Sequence, residues 1–314
     1  MKSVLLVNLG TPAAPTPEAV RSYLGEFLSD PRVVQLPRWL WLPILNLIVL
    51  KTRPERSAEK YAQIWMPEGS PLAVYTARQA QLLEKKLGVP VRHAMRYGQP
   101  SIASALSVLD QPSVIPLYPQ YSESTTASVA DVLPSGVRML EHFHDHPAYI
   151  AALEANVRRH WQRHGRGGEL VMSFHGLPKR GSERYEQECR TTARLLAEKL
   201  KTEYVVTFQS RFGYAEWLQP YTEPTLVELA RQGAQRVEVV CPGFVSDCLE
   251  TLEEIGITAR RAFLDAGGRE LYLVSCLNDS TEWIEALAAL AGGMGNTRVN
   301  ASVSDSAGSG RLKR

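Results

Sequence analysis

Residues 170–178, LVMSFHGLP, decide how this chain is read. Four apolar or small residues are followed by an aromatic, a histidine, a glycine and a proline. A short run of this kind bounded by Gly and Pro is a buried strand that ends in a turn. Residues 4–12, VLLVNLGTP, align with it without gaps. Gly10 falls on Gly176, Pro12 on Pro178 and Leu9 on His175. Further along, Leu117-Tyr118-Pro119-Gln120-Tyr121 matches Val240-Cys241-Pro242-Gly243-Phe244. Two matched motifs in the same order indicate an internal duplication.

Outward from these motifs, apolar β-branched runs alternate with helical patterns, the signature of parallel α/β layers. Strands are expected at Val4–Val7, Val114–Leu117, Leu170–Ser173, Val205–Gln209 and Val237–Val240. Thr16-Pro17-Glu18 supplies a helix cap, a proline in the first turn and an early acid. Further helices are expected over Tyr75–Leu87, ending at Gly88, over Thr225–Arg231, and over Ser280–Ala291. The predicted fold is therefore α/β, with two similar Rossmann-like domains, parallel sheets flanked by helices, facing a shared cleft. The domains are placed at 1–152, completed by the helix near 280–291, and at 153–279. Residues 292–314, rich in Gly, Ser and Asn, are expected to be disordered.

Composition narrows the function. With 35 basic and 33 acidic residues the net charge is +2, which gives no electrostatic reason to expect a nucleic-acid partner. Four scattered cysteines and an N-terminus without a signal-peptide pattern fit a cytoplasmic protein. Residues 39–50, WLWLPILNLIVL, are too short for a membrane span of about 20 residues. They read as a buried segment, or as an apolar lip that admits a greasy ligand or touches a membrane surface. No Walker loop, G-x-G-x-x-G, H-E-x-x-H or G-x-S-x-G motif is present.

Candidate chemistry gathers at strand ends, where open α/β sheets bind ligands. His175 closes one strand. Past another lies Phe244, then Asp247, Glu250 and Glu254, which an α-helix would stack on one face at i, i+3 and i+7. His175 and Glu250 together form a plausible open site for a divalent transition metal. Arg96 and Tyr97 offer a guanidinium for a ligand carboxylate beside a flat ring, or a buried structural pair. Tyr121 and the hydroxyls after it cap a helix or help hold an anion. His142, His144 and His146 alternate in EHFHDH, as a polar connection between domains or a surface metal site.

These blocks in this order resemble ferrochelatases of the proteobacterial type. They are LLVNLGTP, FLSDPRVV, YAQIWMPEGSPLAVYT, MRYGQPS, PLYPQYSESTT, SFHGLP, TFQSRFG, WLQPYT and CPGFVSDCLETLEEI, and they run from Val4 to about Ala291. The resemblance implies two Rossmann-like domains around a porphyrin cleft and insertion of Fe²⁺ into protoporphyrin IX, a late step of haem biosynthesis that releases two protons. It implies that His175 and Glu250 receive the metal and accept protons, and that Asp247 and Glu254 extend a metal or proton track. The porphyrin-contact set is Leu9, Arg96, Tyr97, Tyr121 and Phe244. Family members often have His at position 248, and some have Tyr or Met at position 9. Cys248 and Leu9 therefore withdraw support for an imidazole at the first and an axial ligand at the second. The cysteine-rich tail that holds an iron–sulfur cluster in some relatives is missing, so no cluster and no prosthetic group are expected. Partners are then protoporphyrin IX and Fe²⁺, with peripheral membrane contact open. The competing readings are a non-catalytic tetrapyrrole or haem carrier, and a chelatase for another metal or tetrapyrrole.

Overall fold

The computed structural model describes residues 1–211 and 215–294. In the first half the order is β1 (Ser3–Gly10), α1 (Pro17–Ser29), α2 (Arg38–Ile44), a π-helical segment (Leu45–Val49), α3 (Leu50–Ile64), α4 (Pro71–Leu87) and β2 (Val91–Tyr97). Then follow α5 (Ile102–Leu106), β3 (Pro112–Pro116), a π-helical turn (Glu123–Ala127), α6 (Ser128–Ala130) and β4 (Arg138–Met139). The second half contains α7 (Pro147–His164), β5 (Glu169–His175), α8 (Glu183–Leu200), β6 (Val205–Gln209), α9 (Thr222–Arg231) and β7 (Arg236–Val240). A long π-helix (Glu250–Ala259), α10 (Arg260–Asp265), β8 (Glu270–Leu273) and α11 (Thr281–Gly293) complete it.

Among the described residues every strand pairing is parallel, and the two sheets share one order: β2-β1-β3-β4 and β6-β5-β7-β8. The duplication read from the motifs is thus present in the topology. It extends to the two matched glycines. Gly10 sits at φ +121°, and a Cβ there would stand 1.9 Å from the Tyr97 carbonyl oxygen. A Cβ on Gly176 would stand 2.6 Å from the Gln209 carbonyl oxygen. In each half, glycine lets the end of the first strand approach its neighbour more closely than any side chain allows.

Local signals formed the elements they announced. Thr16 caps α1 through its hydroxyl, with Pro17 in the first turn. Gly88 ends α4 in the left-handed region at φ 67°, which glycine adopts at little cost. β5 runs two residues beyond its expected end, so His175 is the last residue of the strand instead of the first of a loop. The last helix also outruns its expected end, continuing through Gly293 with Met294 buried behind it. The remainder of the expected disordered tail, 295–314, lies outside the described residues.

One apolar cluster joins both sheets. Val4, Leu6 and Ile115 of the first and Leu170, Met172 and Phe174 of the second share it with Tyr149, Trp161, Leu196 and Trp283 of α7, α8 and α11. α11 packs on α4 as well as α7, so the C-terminal helix returns to the first half. Polar ties cross at the same level. The Gln79 side-chain amide donates to Ser246 Oγ at 2.9 Å and to the Asn278 carbonyl at 2.7 Å. Lys60 Nζ meets Glu253 Oε2 at 2.8 Å. Among the described residues, no helix is long and apolar enough to cross a membrane.

Candidate functional site

The carboxyl ends of the two sheets meet through a second apolar cluster. Leu9, at the end of β1, packs there with Tyr23, Trp41, Leu45, Tyr61 and Tyr97, and Leu249 and Leu252 reach it from the second half. Glu250 lies between those two leucines, so their burial fixes the direction in which the π-helix enters. This is the junction where the sequence placed its candidate residues.

His175 is half-buried. Its Nδ1 lies 2.6 Å from the Gly176 carbonyl oxygen, and Tyr185 donates its hydroxyl to the His175 carbonyl at 2.9 Å. A carbonyl only accepts, so this hydrogen bond requires the proton on Nδ1 and leaves the Nε2 lone pair free. The Phe244 ring stands 6.3 Å from the imidazole, centroid to centroid. Glu250 opens the π-helix and is anchored through its carbonyl, which accepts from Gln209 Nε2 at 2.6 Å. Glu254, four residues on, accepts from both the backbone N–H and the hydroxyl of Ser210. Burial pushes the Glu254 carboxyl above its ordinary value and the Glu250 carboxylate adds to this, while Ser210 and His175 oppose it. Glu254 therefore lies within electrostatic range of both His175 and Glu250. Phe244 completes the group.

Asp247 is placed elsewhere. The predicted face of three carboxylates assumed an α-helix through Asp247, but the helix begins after it and has π spacing from Glu250. Asp247 is 4% exposed, and its carboxylate accepts from Asn278 Nδ2 at 2.6 Å, Thr251 Oγ1 at 3.1 Å and the Cys276 N–H at 3.2 Å. It ties the loop after β7 to the loop after β8. Glu253 is buried against Lys60 and Thr258.

Arg96 and Tyr97 take the structural alternative. Arg96 donates from Nε to the carbonyl and hydroxyl of Ser128, both at 2.8 Å, and from its Nη2 to Asp30 at 2.7 Å. Tyr97 is 2% exposed; its hydroxyl reaches the same Asp30 oxygen at 2.8 Å. Its ring is held between Phe27 and the Arg96 guanidinium. The physical reason is Asp30, whose buried carboxylate needs these donors. Tyr121 is likewise held by close partners. Its N–H donates to Glu188 at 2.7 Å, its hydroxyl to Glu123 at 3.0 Å, and Arg184 covers its ring at 4.2 Å.

Sequence reasoning missed Tyr23, Tyr61 and Arg53, which the first half brings into Coulombic range of Glu250. Burial, then charge, keeps both tyrosine hydroxyls protonated well past their ordinary value. No local motif marks these residues; only the helical spacing of Tyr61 on the buried face of α3 hints at them. Cys248 is buried, and its thiol is raised by burial and by Glu250, to which it hydrogen-bonds. A raised, protonated thiol is a poor metal ligand.

A family profile described as Ferrochelatase matches residues 1–293. A protein named Ferrochelatase from a Polaromonas species is 56% identical over 311 residues, covering 91% of this chain and 85% of its own. Its namesake in an Azoarcus species is 55% identical over 309 residues, with 90% and 85% covered. That of Bordetella pertussis is 53% identical over 312 residues, with 91% and 86% covered. Among solved structures, "CbiX, the terminal Enzyme for Biosynthesis of Siroheme in Denitrifying Bacteria" has a TM-score of 0.50 and 17% identity, covering 92% of this chain and 98% of its own. At that identity the likeness concerns the fold alone.

Proposed function

The chain belongs to the ferrochelatase family, and from that premise we propose how its own residues carry the reaction. The protein is a ferrochelatase, a metal chelatase of haem biosynthesis whose substrates are a porphyrin and iron. We take the porphyrin as protoporphyrin IX and the metal as Fe²⁺, as the proteobacterial resemblance implies. The ring gives up two pyrrole protons, its four nitrogens replace the ligands of the ion, and haem and two protons leave.

Two groups must be supplied: a way station for the incoming ion and an acceptor for the protons. His175 and Glu250 share these tasks. The hydrogen bond from Nδ1 to Gly176 leaves Nε2 as the nitrogen available to a divalent transition ion or a proton. Glu250 supplies the opposing carboxylate. Glu254, raised by burial, is the next acceptor along the track and hands protons on past Ser210. Phe244 and Leu9 offer flat and aliphatic surface to the ring. A planar ring resists metal entry, so contacts that favour a distorted ring lower the barrier. Arg96 and Tyr97 act one step back, by fixing Asp30 beneath the cluster around Leu9. Asp247 holds the loops that carry Glu250.

The apolar lip is proposed as the place where porphyrin enters and where the protein touches a membrane surface. Trp41 and Leu45 anchor the segment in the core, while Leu36, Trp39, Leu40, Leu47 and Ile48 stand exposed, Trp39 to 79%. Apolar groups so grouped beside a site for a water-averse ring fit an interfacial position.

The observation that carries the site assignment is that Glu254 lies in electrostatic range of both His175 and Glu250, with the Phe244 ring 6.3 Å from the imidazole. Anaerobic incubation with protoporphyrin IX and Fe²⁺, followed by porphyrin fluorescence loss and haem absorbance, tests it. Turnover by the native chain, reduced at least about a hundredfold in His175→Ala and in Glu250→Gln that still bind porphyrin, is expected. Unchanged turnover in either variant removes that residue from the site.

A further inference from the structure

The segment Glu141–His146 connects the first sheet to α7, and its alternation separates two kinds of side chain. Phe143 packs against Tyr149 and Trp283 in the shared core. His142 and His144 turn toward one another and toward Glu188 of α8. Their Nδ1 atoms are 3.1 Å apart, and His144 Nδ1 is 3.6 Å from Glu188 Oε2. One ligand atom from each of the three lies within 4.8 Å of the others.

These spacings suit a single ion. Two ligand atoms about 2.1 Å from one metal, at a tetrahedral angle, stand about 3.4 Å from each other. The groups are also held in advance. Glu188 is buried; Arg184 Nε holds its Oε1 at 2.8 Å, and the Tyr121 N–H holds its Oε2 at 2.7 Å. That oxygen keeps further lone-pair capacity. Thr192 Oγ1 donates to the His144 carbonyl at 2.8 Å, which fixes the segment over α8. Arg184 brings a positive charge near, but Glu141 shares it at 2.7 Å, and Asp145 lies within the segment. Two imidazoles and a carboxylate form a borderline donor set, which selects zinc-like divalent transition ions over Mg²⁺ or Ca²⁺.

We propose that His142, His144 and Glu188 are a second metal site, taking one divalent transition cation of the zinc type where the two halves are joined. Such an ion ties the connecting segment to α8 and, through Glu188, to the loop that carries Tyr121. Its ligands are other residues than His175 and Glu250, so the inference stands or falls separately from the reaction above.

The test is Zn²⁺ titration of chelator-stripped full-length protein against a chromophoric chelator. A His175→Ala/Glu250→Gln variant, lacking the other candidate ligands, is expected to bind one Zn²⁺ per chain and to melt at higher temperature with it. Adding His142→Ala, at a half-exposed position, is expected to weaken binding by about tenfold or more and to abolish the Zn²⁺-dependent rise, with the metal-free melting temperature unchanged. Equal affinity with and without His142 overturns the proposal, and so does the absence of Zn²⁺ binding in the parent variant. In either case the imidazole pair serves only as a hydrogen-bonded link.

Discussion

Glu254 accepts two hydrogen bonds from Ser210, 2.7 Å from the backbone N–H and 2.5 Å from the hydroxyl. One residue ends the path out of β6 and the other sits one turn into the π-helix, so the pair locks helix to sheet beside His175. It also sets the basicity of a buried carboxylate. Burial raises the Glu254 carboxyl and the Ser210 bonds lower it; removing the hydroxyl therefore raises it further. Turnover that needs ionised Glu254 falls on the acid side of its pKa. Ser210→Ala is expected to move the acid limb of the pH–rate profile to higher pH, and Glu254→Gln to lower turnover about tenfold or more. An acid limb that does not move takes Glu254 out of the proton track.

Gly176→Ala places a methyl group 2.6 Å from the Gln209 carbonyl oxygen and 3.3 Å from Trp217 Cε3. The first contact is with backbone that is itself part of the β5–β6 ladder, so it does not yield easily. A loss of about 1–3 kcal/mol in unfolding free energy is expected. Turnover should fall too, because His175 precedes the displaced residue. Denaturant unfolding and the anaerobic assay on one preparation check both.

Asp30 gives a pH-dependent prediction. Its carboxyl is raised by burial, but the Ser128 hydroxyl, the Arg32 N–H, Tyr97 and Arg96 together hold it below its ordinary value. A depressed folded pKa contributes stability that is present above the unfolded value, about 3.9, and lost as pH falls through the folded value. Arg96→Leu should cost about 3 kcal/mol at neutral pH, since it leaves a buried carboxylate short of its cation. It should also move acid unfolding to higher pH. Circular dichroism across an acid titration reads the shift.

The exposed lip separates binding from stability. Trp39→Ser with Ile48→Ser removes apolar surface that packs against nothing in the core, so thermal stability should change by no more than about 0.5 kcal/mol. Sedimentation with vesicles of mixed neutral and anionic phospholipid should fall by about half or more if this surface meets the membrane. Unchanged sedimentation assigns the lip to porphyrin entry alone.

Much of the fold was legible because its signals are local. Thr16-Pro17, Gly88 and the apolar runs act over a few residues, and a short window contains all the physics that forms them. The duplication was legible for a related reason: glycine recurs where two strand ends must close together, at Gly10 and Gly176. The site was legible only in part. His175, Phe244, Glu250 and Glu254 follow strand ends closely enough for topology to gather them. Asp247 falls outside the expected carboxylate face because the backbone takes π spacing from Glu250, and no residue pattern in ETLEEIGITA announces that change. Arg96 and Tyr97 were open between ligand and structure until Asp30, 66 residues away in sequence for Arg96, arrived to claim their donors.

By itself the sequence determined the strands that form the centre of each sheet, the helices with clear caps or stops, the parallel two-sheet class, and the family. Each depends on local propensity or on motif order. The tertiary structure alone decided which polar groups are left for chemistry. Buried charges take the nearest donors: Asp30 took Arg96 and Tyr97, and Asp247 took Asn278 and Thr251. His175, Glu250 and Glu254 come from separate elements of the second half, and Tyr23, Tyr61 and Arg53 of the first half approach Glu250; no spacing along the chain encodes these approaches.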